Sequence, residues 1–140
     1  MTILQRIRKD HLSPNEYSRP QRPLEEVKAI VLHWVANPGT SAQANRDFFE
    51  LRKDGNHGYG SAHYIVDDHE IVEAIPIGEM AYHVGAHSYT EFARTCLSTY
   101  PNDCTIGIEL CHPDNTGKFT KTVWNAGALL VAHLLLRPIM

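Results

Sequence analysis

His33 and Glu109 each interrupt a short, β-rich apolar run, where an unpaired polar group is costly to bury. In residues 27–35, VKAIVLHWV, strand alternation puts Ile30, Leu32 and Trp34 on one face and Val31 and His33 on the other. In residues 104–111, CTIGIELC, Ile106, Ile108 and Leu110 share one face. Thr105, Gly107, Glu109 and Cys111 share the opposite one. Two accounts fit such a pair. A zinc ion with its bound water would use the imidazole as ligand and the carboxylate as the base that takes the water proton. Alternatively, Glu109 pairs with an arginine and His33 bonds a carbonyl. Spacing alone does not choose between them.

The elements that must position these groups follow from pattern and punctuation. Residues 27–35 read as a buried central strand, followed by a turn at Asn37-Pro38-Gly39. Thr40 or Ser41 caps a helix running to about Lys53, with Ala44, Phe48 and Leu51 on one face. Residues 61–66 and 70–75 flank Asp67-Asp68-His69 as a hairpin, and residues 80–84 add a short strand. Residues 85–103 read as a long surface loop, residues 104–111 as a strand, and residues 121–136 as the clearest helix, ended by Pro138. Residues 1–26, polar and carrying Pro14, Pro20 and Pro23, read as an extended N-terminal arm before a single domain at 27–140. The order predicts an α/β fold, a mixed central sheet flanked by helices.

Bulk composition narrows the partners. The chain has 140 residues, 43% of them hydrophobic, and a net charge of −3, too small to argue for nucleic acid or an anionic membrane. No apolar run has the length of a membrane span. Arg6, Arg8, Lys9 and Asp10 break up the apolar start of the chain, which argues against a secretory signal and for a protein that is cytoplasmic as synthesised. Three cysteines, Cys96, Cys104 and Cys111, form no metal motif and are expected as free thiols.

Four segments, taken in order, resemble successive motifs of one family. They are VLHWVAN around His33, SAHYIVDDHEIVEAIP at 61–76, MAYHVGAHS at 80–88 and TIGIELCH at 105–112. Together they are similar to the type-2 N-acetylmuramoyl-L-alanine amidases, which include phage endolysins, muropeptide-recycling enzymes and peptidoglycan recognition proteins. The resemblance implies a zinc cofactor and a peptidoglycan or muropeptide substrate, cleaved between muramic acid and L-alanine. It implies His33 as the first zinc ligand and Glu109 as the catalytic glutamate. His63, in the S-x-H strand motif, is implied to line the cleft floor or position other groups. His83, in A-x-H-x-G, is implied to touch substrate. Ala62 stands where some phage members carry a catalytic tyrosine, leaving the acid–base role to Glu109.

One departure from the family matters. The resemblance implies two further ligands after the last helix, a histidine and then a cysteine or aspartate followed by proline. Nothing here matches that segment, and Cys111-His112-Pro113 lies elsewhere in the pattern. The chain is therefore expected to be an amidase domain lacking its C-terminal segment, weak or inactive alone, and monomeric unless exposed apolar surface drives association. A peptidoglycan-binding module without catalysis and a cytosolic recycling amidase are the alternatives. The groove is expected from loops around 36–40, 78–90 and 112–118.

Overall fold

The computed structural model of the chain describes residues 2–137. Five strands form one mixed sheet: β1 (Ile7–Lys9), β2 (Ala29–Trp34), β3 (Tyr64–Val66), β4 (Ile71–Glu73) and β5 (Thr105–Leu110), in spatial order β1-β4-β3-β5-β2. β3 and β4 make the antiparallel hairpin, while β1–β4, β3–β5 and β5–β2 pair in parallel. Among the described residues there are four helices: α1 (Ile3–Arg6), α2 (Ala42–Leu51), α3 (Glu91–Cys96) and α4 (Lys121–Leu135). The expected α/β architecture, a mixed sheet with flanking helices, is the one observed.

The two faces of the sheet carry separate cores. Ile106, Ile108 and Leu110 of β5 join Tyr64, Val66 and Ile71 against Val123, Ala126, Leu130 and Leu134 of α4. The small residues Ala126 and Gly127 let α4 approach closely; a methyl at Gly127 would already sit 3.0 Å from Leu110. On the other face Ile65, Val72, Ala74 and Ile75 pack against Ala42 and Phe49 of α2 and against Leu12. Helix α2 lies over β3 and β4. The β5–β2 side of that face is thereby left open, and the polar residues of β2 and β5 point there.

Several local expectations are corrected. The 27–35 run is an outer strand rather than a central one: Leu32 and Trp34 are 47% and 43% exposed, and β5 is the strand enclosed between neighbours. An apolar run signals a strand but not its place in the sheet. On α2 the buried face is Ala42, Asn45 and Phe49, not Ala44, Phe48 and Leu51. The helix begins at Ala42, with Ser41 Oγ accepting from the Ala44 amide, and this sets the phase of the buried stripe. Residues 80–84 form no strand, and the 85–103 loop contains α3 and a 3₁₀ turn at Pro101–Asp103. Pro138, expected to end the last helix, lies outside the described residues. The three cysteines are free.

The segment before residue 27 is docked along the sheet. β1 pairs with β4, Leu12 is fully buried, and Arg46 of α2 donates to the Asp10 and His11 carbonyls at 3.0 and 2.8 Å. Farther along, Arg19 forms a two-pronged pair with Glu79, both contacts within 2.9 Å. Such a fork is the geometry in which an Arg–carboxylate pair holds a chain in register.

Candidate active site

The parallel β2–β5 pairing sets His33 opposite Glu109 and, two residues earlier on each strand, Val31 opposite Gly107. Because side chains alternate, these four positions face the same side of the sheet. A cleft of about 410 Å³ opens there. Glu109 and His83 form one side, and Asn45 and Phe49 of α2 with Arg52 just after it form the other.

Glu109 is half-buried, and its Oε2 is enclosed without a hydrogen-bond partner. The pairing with arginine that sequence left open is not made. Burial pushes the carboxyl up to about 7. An enclosed carboxyl with one unspent oxygen, poised to gain or lose a proton near neutrality, has the properties of a general base.

His33 is in contact with another histidine: its Nε2 lies 3.0 Å from His83 Nδ1. Burial lowers the pKa of His33, which favours the neutral ring that a metal needs. His83 Nε2 in turn lies 3.0 Å from Thr105 Oγ1 and 3.3 Å from the Thr105 carbonyl. Burial, with His63 and His33 alongside, takes the His83 pKa down to about 3. His83 thus lines the cleft, but both of its ring nitrogens are engaged by the protein.

His63 is placed differently from the others. It is fully enclosed, with Gly107 N–H donating to Nδ1 at 3.0 Å and Nε2 bonded to the Glu79 carbonyl at 2.8 Å. Burial lowers its pKa to about 4. Lining the cleft floor, one of the two roles implied for it, is closed off by this burial. What remains is positioning, since it braces Gly107 from beneath the cleft. The expected groove is also redrawn. Residues 82–83 and Ala36–Asn37 line it, but His112 and Pro113 line a separate recess of about 280 Å³ beside Asp67 and Asp68.

Gly107, Asn102 and Arg52 do much of the arranging. Gly107 leaves room for the His83 ring, since a Cβ there would fall 2.4 Å from His83 Cγ. A glycine inside a strand is a recognised sign of such a close approach. Buried Asn102 accepts from the backbone amides of His83 and Val84 at 3.1 and 2.8 Å and returns a bond to the Val84 carbonyl, fixing the backbone that carries the ring. Arg52 gives NH1 to the carbonyls of His57, Gly58 and Tyr59 and stacks 4.8 Å above Phe48, closing the far wall.

As to a metal, His33 fits as a donor, a neutral imidazole set in register with Glu109, although it is not among the residues that line the cleft. Among the described residues, however, no group of three or more His, Cys, Asp or Glu is gathered to hold an ion. A three-ligand zinc site needs donors beyond these.

The comparison with known families is decisive. A family model described as N-acetylmuramoyl-L-alanine amidase matches residues 23–138. The chain belongs to this amidase family. A probable N-acetylmuramoyl-L-alanine amidase of Bacillus licheniformis is 40% identical over 120 residues, covering 86% of this chain and 33% of that protein. The amidase CwlL of the same organism is 36% identical over 137 residues, covering 94% of this chain and 36% of its own length. The chain thus spans about a third of the length of these relatives. Among solved structures, the catalytic domain of XlyA superposes with a TM-score of 0.66 at 25% identity, over 92% of this chain and 75% of the other. A selenomethionine derivative of AmpD gives 0.64 at 25% identity, over 93% and 74%. This amidase-family chain therefore shares its fold with both structures.

Proposed function

We propose that this amidase-family domain hydrolyses the amide between the lactyl group of N-acetylmuramic acid and the L-alanine of a stem peptide. One observation carries the proposal: a half-buried glutamate with an unpartnered oxygen, set in register with His33 on the open side of the sheet. Glu109 takes a proton from the attacking water and passes it to the leaving amine of L-alanine. A carboxyl with a pKa of about 7 suits both transfers near neutral pH. The α2 wall and the His83 side confine the substrate between them, excluding bulk water from the carboxyl.

Zinc is the cofactor we infer, with His33 as one ligand. When bound, zinc supplies Lewis-acid polarisation of the scissile carbonyl and a more acidic water. The setting we infer is cell-wall lysis. Supporting that, the fold is shared with an endolysin variant from Bacillus subtilis at a TM-score of 0.67 and 26% identity. The test is mass spectrometry of purified peptidoglycan digested with the protein in the presence of zinc. The proposal expects new free amino termini on L-alanine and intact glycan strands. Cuts within the glycan or between stem residues would refute it.

A further inference from the structure

The hydrogen bonds that leave His33 run through two groups, His83 and the Thr105 hydroxyl, to an end that fixes their direction. The final acceptor is the Pro101 carbonyl, which has no proton to give. Thr105 Oγ1 lies 2.7 Å from it, so the hydroxyl proton points there. The lone pairs of Thr105 Oγ1 and the Thr105 carbonyl then face His83 Nε2, at 3.0 and 3.3 Å. Both are acceptors in this arrangement, so His83 carries its proton on Nε2. A neutral His83 then has a bare lone pair on Nδ1, and His33 Nε2, 3.0 Å away, must be the donor. The reverse order would turn the Thr105 hydroxyl away from Pro101 and leave an imidazole lone pair facing the Thr105 carbonyl.

We propose that Thr105 and His83 are positioning residues that lock His33 as its Nε2–H tautomer, leaving Nδ1 as the single ring nitrogen free to bind a metal. A histidine that ligates through one nitrogen is oriented by what its other nitrogen bonds. Here that partner is a second histidine rather than a carboxylate. The neutral relay adds no negative charge next to Glu109, whereas a carboxylate in the place of His83 would push that carboxyl still higher. The room for the relay is built in. Gly107 accommodates the His83 ring, Asn102 pins its backbone, and His63 braces Gly107 from below.

Only the use made of Nδ1 rests on the amidase reading. The tautomer is a property of the metal-free chain, so failure of one is distinguishable from failure of the other. The experiment is a long-range proton–nitrogen NMR spectrum of the metal-free protein with ¹⁵N-labelled histidine, recorded at pH 8. The expected result is a His33 with Nε2 in the protonated, pyrrole-like range and Nδ1 in the bare, pyridine-like range, and a His83 of the same form. In His83→Leu, His33 should move toward averaged shifts for both nitrogens, the mark of a mixed tautomer. Where that variant does not fold, Thr105→Val serves. It leaves His83 Nε2 only the carbonyl at 3.3 Å, and the His83 nitrogen shifts should move toward each other. A wild-type His33 protonated on Nδ1, or already averaged, overturns the proposal. So does a fixed Nε2–H signal for His33 that survives in His83→Leu.

Discussion

His33 and Glu109 stand opposite each other on the parallel β2–β5 pair, residue against residue in the register. Neither strand alone makes a site. Parallel pairing of two runs, each with one polar interruption in phase, places an imidazole and a carboxyl together on the face that α2 leaves uncovered.

Glu109 should cost the protein stability at neutral pH. Burial raises its carboxyl from 4.5 in the unfolded chain to about 7 in the folded one. Below about pH 4.5 it is protonated in both states and carries no penalty. As pH rises the unfolded chain ionises first, so stability falls until about pH 7 and then levels. Glu109→Gln has no such titration. Its stability relative to wild type should rise by up to about 3 kcal/mol between pH 4 and pH 8. Urea denaturation of both proteins at several pH values measures it; a difference that stays constant with pH would contradict the burial of this carboxyl.

Gly107 should tolerate no side chain. A methyl group there meets the His83 ring at 2.4 Å, and that ring is held at both nitrogens. Gly107→Ala should cost about 1–3 kcal/mol in thermal unfolding, as an overpacked site does. It should also separate His83 from His33 and lower activity more than stability. A variant with wild-type melting temperature and turnover would show that the close approach is not needed.

Glu50 should tie down the N-terminal segment in a pH-dependent way. Burial alone would raise its carboxyl, but the Ser13 hydroxyl and amide, Lys53 and Arg46 together bring it to about 2. Its contribution is therefore present above about pH 4.5 and lost as pH falls toward 2. Glu50→Ala should destabilise by about 1–2 kcal/mol at pH 7. It should also speed proteolysis around Ser13, where two hydrogen bonds to Glu50 are lost. Equal proteolysis rates in the two proteins would count against this tie.

Strands β2 to β5 and the two long helices were legible because alternation and capping are local signals, whereas β1, three residues inside a run read as an extended arm, was not. The runs at 104–111 and 121–136 land within a residue or so of β5 and α4. The position of β2 at the sheet edge was not legible, because edge or centre depends on which strand pairs outside it. At the site, His33 and Glu109 could be read as polar interruptions of apolar strands. The roles of His63 and His83 could not, since both are set by partners distant in sequence: the Glu79 carbonyl and Gly107 amide for one, His33 and Thr105 for the other. Gly107 left a legible trace, being a glycine inside a strand. Asn102 left none, because an asparagine after proline reads as an ordinary turn.

The central claim is that Glu109 performs the proton transfers of amide hydrolysis. Release of L-alanine amino termini from purified peptidoglycan, followed in zinc-containing buffer for wild type and Glu109→Gln, tests it most directly. Loss of a general base costs on the order of 10²–10⁴-fold in rate. The expected result is a fall of that size, with circular dichroism and melting showing the variant folded. A folded Glu109→Gln protein that releases L-alanine amino termini at the wild-type rate would contradict the account.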